Sequence, residues 1–332
     1  MPPVTARVIH TAQALVDEVV EIPALPRRGG NVMAQMHQLY AAGAVNILLA
    51  AARSGATCVH AGAHGTGPNG DRIRAALAAE GVTLSAAPIP DLDTGICFVM
   101  IEPTAERTFV TTQGAERQIT PESLHACQPA PGDLVCVSGY SLLGRTRDPL
   151  LSWLETLAPG VVVVLDPGAE FAALEPSLQE RMLARTSVWT SNADEAEDLT
   201  GLAPIAKSCM AVADRLGSDA VVVVRDGPRG CIVRVAGGNT PVPGFPQTPV
   251  DTNGAGDTHT GVLVAVRASG ADWVEAARRA NAAGAIKVTR KGPNTAPTAA
   301  EIDAFLASWP SPGDDPRAGT HAPAPTSLRT DR

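Results

Sequence analysis

The chain has 332 residues, of which 45% are hydrophobic and 3% aromatic, and its formal net charge is -8. This size and composition predict one large α/β domain with a core built from Ala, Val, Leu and Ile. The mildly acidic balance, without any basic run, gives no indication of a nucleic-acid partner. The apolar runs are far shorter than the ~18 residues of a membrane-spanning helix, so no membrane partner is expected.

Six cysteines are scattered along the chain without a C-x-x-C pair, and most lie in apolar, strand-like stretches. This pattern predicts buried, reduced thiols. The N-terminus shows no charged segment followed by an apolar one, so no signal peptide is predicted. Together these features favour a cytoplasmic protein.

In chain order, six short apolar runs are predicted to be strands. Most are continuously apolar, as expected for strands that helices cover on both faces. Helical stretches at 45–54, 71–80 and 272–288 alternate with the runs, and a glycine follows each of the first two. Strand–helix–strand repetition implies a doubly wound, mainly parallel sheet with helices on both faces. The predicted strands are residues 4–10, 57–62, 133–138, 161–166, 188–191 and 220–225.

Residues 95–101 and 107–111 depart from this rhythm because their apolar and polar side chains alternate more regularly. The connection between them, E-P-T-A-E, indicates a β-hairpin. We expect this hairpin to join the stretch at 16–22 in a small separate β-sheet. This sheet would act as a lid, built from about 12–22 and 95–112.

The composition changes near the end of the chain. Residues 311–332 are rich in Pro, Gly, Asp, Thr and Arg. Such a segment cannot bury enough apolar surface to fold. One domain is therefore predicted over residues 1–310, followed by a disordered C-terminal tail.

The stretch from Thr248 to Gly261, T-P-V-D-T-N-G-A-G-D-T-H-T-G, carries the most chemical information. A turn-rich segment leads through Gly254, Ala255 and Gly256 into an apolar helix that begins at about Asp257. The free N–H groups and the dipole of a helix N-terminus favour an anion at this place. A carboxylate there suits a base that takes a proton from a hydroxyl group attacking a phosphoryl group. An ordinary helix N-cap at Asp257 is the alternative.

The heptapeptide 251–257, D-T-N-G-A-G-D, resembles the D-T-x-G-A-G-D signature of the ribokinase (pfkB) family of carbohydrate kinases at every defined position. No Walker A motif occurs in the sequence. The resemblance covers roughly residues 4–306. It implies a ribokinase-like fold and an enzyme that uses ATP and Mg²⁺ to phosphorylate a hydroxyl group of a sugar or sugar-like molecule. It makes Asp257 the catalytic base and the amides of Gly254, Ala255 and Gly256 the anion hole for the γ-phosphate.

Two further segments resemble the nucleotide side of this family. In S-N-A-D-E, Asn192 and Glu195 match the N-x-x-E motif, which implies a place near the phosphates and the water shell of Mg²⁺. The same spacing fits a helix start with Asn192 as N-cap and Glu195 as capping-box partner, and both interpretations stay open. In R-D-G-P-R-G, Arg225, Gly227 and Gly230 match the strand and turn beside ATP, although a plain hairpin turn fits these residues too.

The C-terminal part of the chain resembles the adenine-flanking helix of the family and the loop that follows it. Asn281 is the candidate for contact with the adenine or ribose edge. In several relatives this loop and the Asp of the D-T-x motif hold a monovalent cation beside the anion hole. The matching ligands for K⁺ would be the side chain of Asp251 and the backbone carbonyls of Asn253, Lys287 and Gly292.

On the acceptor side, Asp17 matches the family's acid that hydrogen-bonds substrate hydroxyl groups. A surface acid at a strand start is the alternative. The segment A-A-G-A-V-N resembles the family's G-G-x-x-x-N and assigns Gly43 and Asn46 to substrate binding. Ala41 and Ala42 stand where the family has two glycines, and their methyl groups could narrow the pocket. The alternative is that Gly29 and Gly30 are the glycine pair, in a different register.

The loop G-A-H-G-T-G-P-N-G at 62–70 resembles the next family loop, but the usual acid near Thr66 or Gly67 is absent. Arg107 lies on the predicted lid hairpin, where it could meet an acidic or phosphorylated substrate group. A solvated edge-strand charge is the alternative, and it is the favoured one for an Arg in this position. A lid would keep water, a competing acceptor, away from the γ-phosphate.

Three hypotheses for the function follow. The first is a sugar kinase, the second a nucleoside kinase with the same fold, and the third a non-catalytic sugar-binding relative. With only 5 Phe and 2 Tyr in the chain, a sugar is favoured over a nucleoside, because nucleoside sites generally use aromatic stacking. The exposed sheet edge of the lid hairpin predicts a homodimer.

Overall fold

The computed structural model describes residues 6–104 and 106–309. The predicted tail at 311–332 and the start of the predicted strand at 4–10 lie outside the described residues. The described residues form a nine-stranded main sheet and a separate four-stranded sheet. In chain order the strands are β1 (Val8–His10), β2 (Ala14–Glu21), β3 (Met36–Gly43), β4 (Cys58–His60), β5 (Thr83–Leu84), β6 (Ile96–Ile101), β7 (Arg107–Thr111), β8 (Leu134–Ser138), β9 (Val162–Asp166), β10 (Val188–Asn192), β11 (Val221–Arg225), β12 (Gly230–Val235) and β13 (Gly238–Pro243).

The main sheet has the strand order β13-β12-β11-β10-β9-β8-β1-β4-β5. Neighbours from β11 to β5 are parallel, whereas β12 and β13 are antiparallel additions at one edge. All six predicted strands belong to the parallel part. The prediction of a doubly wound, mainly parallel sheet is therefore confirmed.

Consecutive side chains of the central strands enter two different core layers. In β1, Val8 belongs to one apolar cluster and Ile9 to the other, and in β11 Val223 and Val224 divide in the same way. Because successive side chains of a strand point to opposite faces, a continuously apolar strand supplies both layers. This explains why the central strands do not alternate in sequence.

Helices cover both faces of this sheet. The side chain of Asp272 caps one of them by accepting from two backbone N–H groups. Gly55 and Gly81 follow the first two helices with φ angles of 90° and 69°, as the glycine stop signals predicted. Within residues 6–104 and 106–309 the α-helices are α1 (Ala44–Arg53), α2 (Pro68–Ala79), α3 (Pro121–His125), α4 (Arg147–Leu154), α5 (Pro176–Leu183), α6 (Ala193–Thr200), α7 (Ile205–Asp214), α8 (Ala255–Ala268), α9 (Trp273–Lys287) and α10 (Ala299–Ser308).

The small sheet has the order β3-β2-β6-β7. Its strands β6 and β7 form the predicted hairpin, and β2 corresponds to the predicted stretch at 16–22. Ala105, in the hairpin turn, lies outside the described residues. The sequence did not predict β3, which pairs with β2 along its whole length. The separate small sheet is thus confirmed, with one strand more than expected.

Two predictions from composition can be compared with this fold. All six cysteines are buried and free, as expected for reduced thiols. None of the helices in the described ranges has both the length and the apolar character required to cross a bilayer.

A close contact between α1 and α8 positions the site. An added Cβ at Gly261 would collide with the carbonyl oxygen of Ile47, so α8 approaches α1 at a distance that only glycine allows. The first turn of α8 therefore lies beside the start of α1. Asp257 and Asn46, each near one of these contact residues in sequence, come together as a result.

Candidate active site

Asp257 lies in the first turn of α8, partly exposed at the surface of a cleft. Its Oδ2 accepts a hydrogen bond from Nδ2 of Asn46 at 2.8 Å. Burial raises the pKa of Asp257 to about 6, and the charge of Asp166 adds to this effect. The hydrogen bond from Asn46 and the positive charges of Arg225 and Lys287 lower the same pKa. Such a carboxylate is ionised at neutral pH and able to accept a proton.

The residue before α8 is Gly254, which serves as the N-cap with a φ of 75°. An added Cβ at Gly254 would lie 2.9 Å from the carbonyl oxygen of Pro293, so both the backbone conformation and the space require glycine. The side chain of Asp257 makes no cap hydrogen bond. The alternative that Asp257 is an ordinary N-cap is therefore wrong.

Two of the three predicted anion-hole amides are free to bind a phosphate. The N–H groups of Gly254 and Gly256 have no acceptor within residues 6–104 and 106–309. The amide of Ala255 donates to the carbonyl oxygen of Thr252 at 3.2 Å, which corrects its predicted role. The amide of Asp257 is free among the described residues and joins the other two. This loop, residues 251–257, meets the requirements of an anion site at a helix N-terminus.

Three charged side chains meet near the carboxyl ends of β9, β10 and β11. Nη1 of Arg225 lies 3.8 Å from Oδ2 of Asp166, and Nη2 lies 3.9 Å from Oε2 of Glu195. Arg225 also donates to the hydroxyl groups of Thr190 at 2.8 Å and Thr260 at 3.2 Å. We call Asp166, Glu195 and Arg225 the acid–arginine cluster.

This cluster has the charge that suits Mg²⁺ held through water and phosphate. Burial and the neighbouring charge of Asp166 raise the pKa of Glu195, so two carboxylates repel each other while sharing one guanidinium group. A cation would relieve this repulsion, and outer-shell carboxylates are typical of Mg²⁺ sites. Asp166 was not predicted, although an acid at the end of a predicted strand could have indicated it.

The Asn192 and Glu195 pair forms the capping box that the sequence left open. Oδ1 of Asn192 accepts from the amide of Glu195 at 2.7 Å, and Oε2 of Glu195 accepts from the amide of Asn192 at 2.9 Å. This box fixes the start of α6. The capping interpretation is correct, and the capping box also holds the Glu195 carboxylate beside Asp166 and Arg225.

A cavity of about 430 Å³ lies beside the 251–257 loop. Arg225, Gly227 and Gly230 line it as predicted, together with the predicted residue Asn192 and the loop residue Gly256. Residues 227–229 form a 3-10 turn between β11 and β12, so the hairpin interpretation is also correct. The cavity has the position expected of a nucleotide site.

Asn281 borders this cavity, but its amide group is engaged inside the fold. Nδ2 donates to the carbonyl oxygens of Val242 and Pro243, both at 3.1 Å, and Oδ1 lies 3.1 Å from Nε2 of His259. The prediction that Asn281 contacts the adenine or ribose edge is therefore wrong for this arrangement. Burial lowers the pKa of His259 to about 3, so this ring is neutral at the cavity wall.

Asp17, on β2, faces the same cleft as Asp257. Burial and the charge of Asp257 raise the pKa of Asp17 to about 7. Asp17 is half-buried in the middle of β2, so it is not the surface acid at a strand start that the alternative described. Asp17, Asn46 and Asp257 thus form the polar group at the predicted acceptor side.

Gly43 has a backbone role. Its φ is 65°, and an added Cβ would lie 2.5 Å from the carbonyl oxygen of Gln13. Ala41 and Ala42 are buried with exposed fractions of 4% and 1%. Their methyl groups pack away from solvent, so the expectation that they narrow the pocket is not supported.

An acid from another part of the chain contacts the loop at 62–70. The carboxylate of Asp93 accepts from the amides of Asn69 at 3.0 Å and Gly70 at 2.9 Å. An added side chain at Gly67 would collide with this carboxylate. Asp93 therefore caps the start of α2.

Arg107 links the small sheet to the 251–257 loop. Its Nη2 donates to Oδ1 of Asp251 at 3.1 Å. Although burial acts in the opposite direction, hydrogen bonds from the amides of Asn253 and Gly292 lower the pKa of Asp251. The alternative of a solvated edge charge is wrong, because the small sheet reaches the loop through this ion pair.

Comparisons with known proteins agree with this geometry. The structure of ribokinase from Arabidopsis thaliana, complexed with ribose and ATP, shares the fold with a TM-score of 0.76 at 23% identity, over 91% of this chain and 99% of that one. A nucleoside kinase of Burkholderia thailandensis in complex with inosine shares it with a TM-score of 0.73 at 21% identity, over 91% and 97% of the two chains. These likenesses define a ribokinase-like fold.

The family follows from sequence. The model for the pfkB family carbohydrate kinases matches residues 12–300. The uncharacterized sugar kinase YegV of Escherichia coli K12 is 31% identical over 311 residues, covering 91% of this chain and 95% of that protein. The chain belongs to the pfkB family of carbohydrate kinases.

Proposed function

We propose that this carbohydrate kinase transfers the γ-phosphoryl group of ATP to a hydroxyl group of a sugar or sugar-like molecule, with Asp257 as the base. One observation carries the proposal: an ionised carboxylate with a raised pKa lies beside free amides at the same helix N-terminus. Asp257 accepts the proton of the hydroxyl group while the oxygen atom of that hydroxyl group attacks the γ-phosphorus atom of ATP. The amides of Gly254 and Gly256 bind the oxygen atoms of the transferred group.

The remaining residues divide between the two substrates. ATP occupies the cavity lined by Arg225, Gly227 and Gly230. Bound Mg²⁺ neutralises phosphate charge, and its waters would be held by Asp166 and Glu195. Asp17 and Asn46 hydrogen-bond the hydroxyl groups of the acceptor, and the small sheet excludes water as a lid.

Asp257→Asn tests the proposal, because it keeps the shape of the side chain and removes the base. ADP release is measured with pentoses, hexoses, ketoses, sugar acids and nucleosides as acceptors. The variant should lose about 10²–10⁴-fold in turnover, while ATP binding stays nearly unchanged. Asp71→Asn, an exposed acid in the first turn of α2, is the matched control and should keep wild-type turnover. Unchanged turnover in Asp257→Asn would refute the assignment.

A nucleoside acceptor is the second candidate, since the Burkholderia thailandensis structure with inosine shares the fold. The same acceptor panel decides between the two classes. The hypothesis of a non-catalytic sugar-binding relative is less well supported by the structure than by the sequence alone. One of the two departures that suggested it has a structural explanation, since Ala41 and Ala42 are packed in the interior.

The proposal includes a homodimer in the cytoplasm. The small sheet exposes large apolar side chains at Phe109 and Val110, with exposed fractions of 58% and 55%, on its edge strand β7. An edge strand of this kind can pair with a second copy. Light scattering with size-exclusion chromatography should give twice the mass of the chain, and Phe109→Lys should lower it. A monomer at micromolar concentration would contradict the dimer.

A further inference from the structure

The predicted monovalent-cation site does not offer the ligands that K⁺ requires. Such an ion needs oxygen atoms with lone pairs directed at it. Both carboxylate oxygens of Asp251 face donors instead. Oδ1 accepts from the amide of Asn253 at 2.9 Å and from Arg107 at 3.1 Å, and Oδ2 accepts from the amide of Gly292 at 2.9 Å. A cation at this carboxylate would therefore compete with three donors for the lone pairs of its two oxygen atoms.

Two of the predicted carbonyl ligands are engaged as well. The carbonyl oxygen of Lys287 accepts from the amide of Arg290 at 2.9 Å. The carbonyl oxygen of Gly292 accepts from the hydroxyl group of Thr295 at 2.8 Å. Three of the four predicted ligand groups therefore already accept hydrogen bonds, and K⁺ would have to share their oxygen atoms.

A cation of the chain itself lies next to this site, bound to carbonyl oxygens that are not among the predicted ligands. Lys287 is the last residue of α9, and its side chain is fully buried. Its Nζ donates to the carbonyl oxygen of Asp251 at 2.9 Å and, at the longer distance of 3.5 Å, to that of Arg290. A buried ammonium group is costly unless acceptors surround it, so these carbonyl oxygens account for its position.

We infer that the ammonium group of Lys287 takes the place of the monovalent cation, so that this kinase works without K⁺. The inference rests on the proposed function, because it concerns the loop that carries the proposed base. Lys287 is a positioning residue: its bond to Asp251 holds the start of the 251–257 loop. Its positive charge also acts on Asp257, whose pKa it lowers.

The wild-type protein gives the first test. Turnover is measured with saturating ATP and Mg²⁺ in KCl, NaCl and N-methylglucamine chloride at equal ionic strength. The three rates should agree within about twofold, because a built-in cation is not subject to mass action. Activation by K⁺ of about tenfold or more, the size expected for a missing charge near the transferred group, would overturn the inference.

The second test removes the ammonium group. Lys287→Ala should lower kcat by about tenfold or more while the KM of the acceptor changes little. Added ammonium, methylammonium or K⁺ should restore part of the rate, which a merely structural loss would not allow. Lys291→Ala is the matched control, since its side chain is 62% exposed and pairs with Glu21. If the kcat of Lys287→Ala equals that of the wild-type protein, the inference is overturned.

Thermal melting needs no acceptor and separates this inference from the proposed function. The wild-type melting temperature should be the same in K⁺ and N-methylglucamine, whereas that of Lys287→Ala should rise with K⁺. A wild-type melting temperature that rises with K⁺ would overturn only the role of Lys287. If Lys287→Ala does not fold, the turnover and the melting temperature of the wild-type protein in the different cations test the inference without the variant. A wild-type protein without activity on any acceptor would instead overturn the proposed function.

Discussion

The hydrogen bond between Asn46 and Asp257 leads to a quantitative prediction about pH. As the proposed base, Asp257 would act only when ionised, and burial raises its pKa to about 6, so kcat/KM should fall as the pH drops through this value. The amide of Asn46 donates to the charged form of the carboxyl group and lowers this pKa. Asn46→Ala should therefore move the acid limb of the profile to higher pH.

The size of the shift follows from the strength of a hydrogen bond to a charged group, about 1.5–3 kcal/mol. The lower end applies because Asp257 is partly exposed. At 1.36 kcal/mol for each pKa unit, this loss corresponds to about one pH unit. At pH 5 the ionised fraction of the base would fall from about one in 11 to about one in 100, while the rate at pH 9 would not change through this ionisation.

The assay measures kcat/KM for the acceptor by coupled ADP detection between about pH 5 and pH 9. Asn294→Ala is the control, since Asn294 donates to the carbonyl oxygen of Ala41 at 2.8 Å and has no hydrogen bond to Asp257. Because Asn46 is also a proposed acceptor ligand, the position of the limb is compared and not the absolute rate. An acid limb that stays in place or moves to lower pH in Asn46→Ala would refute the reasoning.

Three further predictions concern stability. Gly261→Ala should destabilise the fold by about 1–3 kcal/mol in urea unfolding, because the added methyl group meets a carbonyl oxygen of α1. Gly284→Ala in α9 is the control: the space there is open, so the fold should gain up to about 1 kcal/mol. A higher urea midpoint for Gly261→Ala than for Gly284→Ala would contradict the packing argument. Asp133→Asn should cost roughly 1.5–3 kcal/mol at neutral pH, because Arg7 donates to both oxygen atoms of this carboxylate through its side chain and its amide. Although burial acts in the opposite direction, the bonds from Arg7 lower the pKa of Asp133 in the folded protein. The stabilisation is therefore present above the pKa of the unfolded chain, about 3.9, and is lost as the pH falls through the lower pKa of the folded protein. An equal loss of stability in Asp133→Asn at pH 7 and at pH 2 would contradict this prediction. Asp93→Ala should cost about 1 kcal/mol, seen as a lower melting temperature, since two amides at the start of α2 lose their acceptor.

The elements that sequence predicted well are those with a local signal. The Val-rich run of β11 is a central strand because its residues supply both core layers. β3 escaped prediction because Met36–Gly43 mixes polar and apolar residues without a clear period and is largely exposed. It is a strand because all eight positions pair with β2, a contact that no local pattern can indicate.

The distinction between local sequence signals and long-range contacts also applies to the site. The 251–257 loop was predictable because its turn, its amides and its carboxylate are contiguous in sequence. Asp166 and Asp93 were missed because their partners lie far along the chain: Asp166 accepts from a residue 94 positions away. Asn281 was misassigned because its hydrogen bonds to β13 depend on how α9 packs against that strand. Sequence places a polar residue near a site, but only packing decides which atoms remain free.

The charges around the cleft give its two carboxyl groups different roles. Near neutral pH, Asp257, with a pKa of about 6, is mostly ionised, while Asp17, with a pKa of about 7, holds a proton in about half of the molecules. Asp257 can therefore accept the hydroxyl proton, and Asp17 can donate to or accept from a neighbouring hydroxyl group. Bound phosphates would add negative charge and raise both pKa values. Arg225 and Lys287 lower the pKa of Asp257 and so act against this rise at the proposed base.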